Sequence, residues 1–313
     1  MAKKSFLAAL FATLLPAAAF SQFPTPEATY IITANPQGVG VEPTFKANKD
    51  GSTTPMATGT ISSVLADIAR DASPEGNRLT VNVQFGENNG VLNLNIATAQ
   101  INESCSFILS GKITSASGNS TIKINGSPNM PSIISEADIA NTSNSGYAIH
   151  NSGTLVILGG MVENTAGGNA IYHNSTYNLY LSRSPTINGN IFISSGNLRV
   201  QTDTNTYLFA PGTNTYSITL EEANEGSLVV GGGKANASSF TLTNQGFSLT
   251  ASGNDLVVGT TTPIANYPTP AIHSEAAPTY YTMKGEPVGS TKPQKPGVYL
   301  VKQGSSVRKI VVR

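Results

Sequence analysis

From Leu79 to Val258 the chain is written in short apolar ribbons with a period of two. LTVNVQF sets Leu79, Val81, Val83 and Phe85 on one side, and LNLNI does the same with Leu92, Leu94 and Ile96. TIKI, TLVIL, NLYL, NIFI, NLRV, SITL, SLVV, FTL, FSL and DLVV continue the series, most of them bounded by Gly, Asn, Ser or Pro. Strands of this kind bury one face and wet the other, so the chain is all-β. Two architectures fit: a β-sandwich with turns every ~8–12 residues, and a parallel β-helix whose coils each hold three short strands.

A repeat bears on that choice. AIHNSGTLVILGG begins at Ala148 and AIYHNSTYNLYL at Ala170, 22 residues later, with HNS at 150–152 and again at 173–175. This period suits one coil of a β-helix, with coils stacked ~4.8 Å apart and equivalent residues superimposed. Ile149 is then expected over Ile171, and Asn151 over Asn174 in an amide stack, the extra residue being absorbed at a turn. One segment has a helical period instead. In TISSVLADIARDA, Ile61, Val64, Leu65, Ile68, Ala69 and Ala72 form a single stripe, Thr60 is a fitting N-cap, and Pro74 with Gly76 ends the element. The succession of helix, strands and NNGVLNLNI resembles the start of pectate-lyase-like right-handed parallel β-helix proteins. That resemblance covers about residues 60–258. It implies a right-handed solenoid over 60–260 with residues 60–72 as its N-terminal capping helix.

The ends read differently. Lys3 and Lys4, the apolar run Ser5 to Leu15, Pro16, and the small residues of Ala19-Phe20-Ser21 make 1–21 a secretory signal peptide cleaved before Gln22. The apolar run is shorter than the ~20 residues a membrane span requires. Residues 22–59, with Pro24, Pro26, Pro36, Pro43 and Pro55, read as an extended loop segment with one short strand at TYIIT. Residues 261–279 are a Pro-rich linker carrying Pro263, Pro268, Pro270 and Pro278. In 280–313, GVYLVK and VRKIVV read as a hairpin, and seven of the chain's 18 Lys and Arg fall in the last 30 residues. This small β module resembles the C-terminal sorting domain of type IX secretion cargo. The match lies at Lys284-Gly285-x-x-Val288, Pro296-Gly297-x-Tyr299-x-Val301, Gly304 and the Lys309-Ile310-Val311-Val312 end, and is shorter than the family's usual domain. The resemblance implies a partner, the type IX machinery of the outer membrane, and a destination, secretion or the cell surface.

Composition excludes some chemistry and leaves little that is positive. The formal net charge is zero and only 12% of residues are charged, so no basic stripe exists for nucleic acid. Cys105 is the single cysteine, which rules out an intrachain disulfide; it reads as a small buried strand residue. Stacked coils could bring His150 and His173 within ~5 Å, half a zinc site. No HExxH, calcium nonapeptide or thiolate supports a metal, and we read the pair as stacked polar surface, with no cofactor. A glycosidase needs two carboxyls ~5–10 Å apart across one bond. Between Gly111 and Gly259 the acids are Glu136, Asp138, Glu163, Asp203, Glu221, Glu222, Glu225 and Asp255, with no tight Asp cluster. Lys112, Lys123, Arg183, Arg199 and Lys234 are scattered singly. A β-helix lyase or glycoside hydrolase therefore remains the alternative to a non-catalytic contact protein. For contact, Tyr172, Tyr177 and Tyr180 are the candidate ligand-binding residues, with Tyr147 nearby, since aromatic rings hold sugars on their faces. Leu179 and Leu181 are expected to point inward and Tyr180 outward.

Overall fold

The computed structural model describes residues 25–35, 43–73, 79–102, 106–126, 133–202, 207–260, 277–303 and 306–313. The chain divides into two compact units, Met1–Thr261 and Thr262–Arg313. Cys105, Asp203, Gly304 and the signal-peptide and linker segments fall outside the described residues, except for the linker's last three, 277–279.

The larger unit is a β-solenoid of about six turns. Each coil visits up to three sheets. The first holds Thr80–Phe85, the front of Ser106–Ser115, Ile133–Ser135, Leu155–Ile157, Leu179–Leu181, Leu198–Val200 and Leu228–Gly231. The second holds Val91–Asn93, the rear of Ser106–Ser115, Asp138–Asn141, Met161–Asn164 and Thr186–Asn188. The third holds Ala99–Ile101, Ser120–Ile124, Tyr147–Asn151, Asn169–Asn174, Asn190–Ser195, Tyr216–Leu220 and Phe240–Leu242. Gly111 lets one strand serve two sheets, because its φ of +78° turns the backbone where a side chain would strike the Phe85 carbonyl.

Stacking in register explains why such short strands hold. Ile122, Ile149, Ile171, Ile191, Ile218 and Leu242 pair one above the next in the third sheet, all inward and buried. Ile149 does lie over Ile171. Leu92, Ile113, Ile139, Val162 and Ile187 form the matching column of the second sheet. Each rung alone has too little apolar area to fold, and the column buries what the rung cannot. Asn141 stacks on Asn164 at the exit of the second sheet, both buried, and their amides hold the turn backbones of successive coils.

The helix forms at Ile61–Asp71, with Thr60 Oγ1 accepting from the Ser63 amide at 3.2 Å. Its buried stripe is Ile61, Val64, Leu65, Ile68 and Ala69. Among the described residues, strand Ala99–Ile101 pairs on one side only, with Ser120–Ile124. On its other side Ser62 Oγ accepts from the Gln100 amide at 3.1 Å and donates to the Thr98 carbonyl at 3.2 Å.

Four sequence expectations need correction. Residues 22–59 are not mainly loop: Ala28–Asn35, Thr44–Lys49 and Ala57–Gly59 pair antiparallel, and the first runs parallel to Thr80–Phe85. Pro26 precedes the first strand and Pro43 and Pro55 fall between strands, Pro24 and Pro36 lying outside the described residues, and the alternation of Tyr30, Ile32, Phe45 and Ala47 into the core prevails. LNLNI stops at Asn93, because Asn93 Oδ1 accepts from the Asn95 amide and Asn95 takes φ +58°; Ile96 is 65% exposed. Asn151 lies over His173 and not over Asn174. The inward isoleucines set the register, and a slip of one residue would turn every side chain to the other face. Finally, Phe247–Ser252 and Asp255–Thr260 are not further parallel rungs. They form an antiparallel hairpin docked on Leu228–Gly231, as a two-residue link through Gly253 (φ +61°) requires.

The smaller unit is a four-stranded antiparallel sheet in the order Pro287–Gly289, Thr279–Thr282, Gly297–Gln303, Ser306–Val312. Lys284 and Gly285 lie in the turn after Thr279–Thr282, where Gly285 has φ +87° and donates to the Thr282 carbonyl at 2.9 Å. Pro296 leads into Gly297–Gln303, and the Tyr299 hydroxyl donates to the Lys295 carbonyl at 3.1 Å. Val301 is buried, Val288 is exposed, and Lys309 pairs with Leu300.

Candidate functional site

The same stacking that aligns the core aligns the outward side chains of the third sheet into two columns. In one, Gln100, Lys123, His150, Tyr172, Phe192 and Thr219 are successive register partners. In the other, Asn169, Asn190, Ser217 and Thr241 are. No carboxylate stands in either. The Tyr172 and Phe192 rings are stacked at 5.6 Å and 13°, and Tyr147 stacks on Tyr172 at 5.1 Å and 24°. The His150 ring meets Tyr172 edge-on at 4.8 Å. Burial, and then the Lys123 charge in the neighbouring rung, hold the His150 imidazole below its ordinary pKa. Lys123, His150, Tyr147 and Tyr172 line a cavity of about 390 Å³.

Beside the second column, at the turns entering the third sheet, runs an open groove of about 880 Å³. Gly146, Gly168 and Gly189 each directly precede a strand here, and side chains at these positions would crowd the turn of the adjoining coil. Asn190 Nδ2 donates to Asn169 Oδ1 at 2.9 Å and to Thr219 Oγ1 at 2.7 Å, and the Thr219 and Thr243 hydroxyls share a 2.5 Å bond. Gly189→Ala is expected to lower stability by about 2 kcal/mol, as φ is +123° and the new Cβ would sit 2.8 Å from the Gly168 carbonyl. Urea unfolding would check it; a wild-type midpoint would show that the turn adapts.

The three candidate tyrosines are not gathered together. Tyr172 stands in the outward column of the third sheet. Tyr177 lies in the following turn, where its carbonyl accepts from His173 Nε2 at 3.0 Å. Tyr180 points outward from the first sheet, between Leu179 and Leu181, and packs on the Ile134, Val156 and Leu158 cluster. One turn separates strands Asn169–Asn174 and Leu179–Leu181, and that turn puts Tyr172 and Tyr180 on different faces of the coil. Much of the Tyr172 ring face is also taken by its stacked neighbours, leaving its edge outward.

The histidines are likewise apart. His150 is outward and half-buried, whereas His173 is fully buried at the turn toward the first sheet, so the reading of both as stacked surface residues fails for His173. His173 Nε2 must donate, because its partner is the Tyr177 carbonyl, and Nδ1 then accepts from Asn151 Nδ2 at 2.9 Å. Burial pushes this imidazole down to about 4, against a small opposing effect of the Tyr177 carbonyl. Among the acids, Glu136 pairs with Arg183 at 2.9 Å and Asp138 with Lys112 at 3.6 Å, each across rungs. Glu221 accepts from the Ser194 hydroxyl. Among the described residues no three of His, Cys, Asp or Glu are gathered to hold a metal.

Sequence reasoning missed Asn169, Asn190, Phe192 and Thr219. A signal for two of them was present: Gly-Asn heads both GNAI at 168 and GNIFI at 189, a repeat set one rung apart. Comparison with family models, with curated proteins and with solved structures finds no match to this chain.

Proposed function

We propose that this protein is an exported, non-catalytic β-solenoid displayed at the cell surface, where the outer face of its third sheet contacts a polysaccharide. The observation that carries the reading is the pair of in-register outward columns on that face, one with His150, Tyr172 and Phe192 at its centre and the other of amides and hydroxyls. A surface that sets one polar or aromatic side chain above another at each rung suits an extended ligand laid along it. The coil is assigned the right hand that parallel crossovers take. The helix at Ile61–Asp71 is assigned the role of N-terminal cap, supported by its Ser62 bonds to the free side of Ala99–Ile101.

Delivery follows from the two ends. The basic and apolar segment 1–21 would direct the chain across the inner membrane, and the tail from Lys284 to Lys309 would be read by the type IX machinery. Removing residues 280–313 should leave the protein in the periplasm, measured by fractionation and surface protease accessibility. A truncated chain that still reaches the surface would remove the sorting role. For the contact role, the purified protein should sediment with an insoluble polysaccharide and release no soluble product. Turnover that disappears on mutating a solenoid carboxylate would instead make it a hydrolase or lyase.

A further inference from the structure

The groove beside the Asn169–Asn190–Ser217–Thr241 column differs in chemistry from the recesses lined by Lys123 and His150, by Glu221 and Glu222, and by Glu136 and Arg183. Among the described residues that line it are five asparagines and five threonines, and no Asp, Glu, Lys, Arg or His. A carboxylate or sulfate seated there would lose water and gain no countercharge, which is unfavourable. A neutral partner loses nothing of that kind. Amides and hydroxyls each both donate and accept, the complement of a polyol in which every hydroxyl does the same. The lining is also poor in the apolar anchors that hold protein interfaces together: only Ile187 and Tyr147 contribute.

Geometry adds direction. Asn190 Nδ2 donates to both Asn169 and Thr219, which fixes those two lining side chains before any ligand arrives, so little ordering of them is needed on binding. The groove crosses successive rungs, which repeat at ~4.8 Å, close to the advance of one pyranose residue along an extended chain. Gly168 and Gly189 keep the floor of the groove free of side chains between the amides.

We infer that this groove binds an uncharged, hydroxyl-rich glycan chain laid along the solenoid axis, with about one sugar per rung. The inference rests on the polysaccharide-contact reading above and specifies its ligand class and location. The full mature chain would be titrated calorimetrically with cellohexaose, mannohexaose and hexagalacturonate, at low and at high salt. At least one neutral hexamer is expected to bind, with affinity changing less than about twofold with salt, since no ion pair forms. Ser217→Trp, at an exposed groove position, should weaken it by about tenfold or more. Thr215→Arg, also exposed and lining the groove, is a second variant should the first fold poorly. Arg199→Trp, exposed on the first sheet, should bind as wild type. Salt-sensitive binding of hexagalacturonate alone would overturn the neutral-groove inference while leaving polysaccharide contact standing. Neutral binding unaffected by either groove variant would overturn the location. No binding to any of the three, nor to insoluble polysaccharide, would remove both readings.

Discussion

Asn141→Leu is expected to lower the unfolding free energy by about 4 kcal/mol, although the two side chains are similar in size. Asn141 Nδ2 donates to the Ser117 carbonyl at 3.1 Å and the Tyr147 carbonyl at 2.9 Å, and its Oδ1 accepts from the Ser143 amide at 2.7 Å. The residue is fully buried. Leucine would leave three backbone groups without partners, at about 1–3 kcal/mol each, and recover part through its apolar surface. The loss should spread to the next coil, because Asn164 Nδ2 donates to the Ser143 and Gly146 carbonyls of the very turn that Asn141 holds. Denaturant unfolding measures the total, and amide exchange at 143–147 measures the spread. A variant within about 1 kcal/mol of wild type would mean that water enters the turn and replaces the amide.

Acid should weaken the solenoid through His173. Its imidazole binds a proton below about 4 when folded, against 6.5 for the ordinary group, because burial disfavours the cation. Between those values the unfolded chain holds more protons, so stability is full above 6.5 and falls as pH falls toward 4. The whole span is worth about 3 kcal/mol, and about 2 kcal/mol of it is lost between about pH 7 and pH 5, before most carboxylates titrate. His150, depressed in the same direction, adds to the slope, so His150→Gln serves as the background. In that background, His173→Asn should be less stable at neutral pH and nearly flat from pH 7 to 5. An unchanged slope would mean that the buried imidazole titrates normally.

What could be read in advance, and what could not, follows from how many inward residues a strand owns. Tyr147–Asn151 and Asn169–Asn174 carry the repeated Ala-Ile pair, and their register over Ile149 and Ile171 was legible from the 22-residue spacing. Asp138–Asn141, Met161–Asn164 and Thr186–Asn188 each place a single aliphatic residue inside, too few for any period to show. The second sheet was therefore invisible apart from Leu92. The amide stack was expected at Asn151 and Asn174, but it stands at Asn141 and Asn164. The HNS phrase draws the eye to the wrong turn, since its two copies are offset by one residue from the isoleucines that set the register. The candidate groove is built from short strand and turn segments of five coils, and of these only the repeated Gly-Asn at 168 and 189 leaves a mark in the sequence; the register brings the rest together.

The hairpin at 247–260 has one more implication. A coil that ended on Leu228–Gly231 would offer a bare parallel template to any other copy. Here the next strand runs the opposite way, and its outermost edge is Phe247–Ser252, rich in Ser and Thr. An incoming parallel strand finds reversed polarity at this edge of the first sheet, so pairing in the solenoid's own parallel pattern is blocked there. The first sheet is thereby kept from acting as a template for a further parallel strand at this edge.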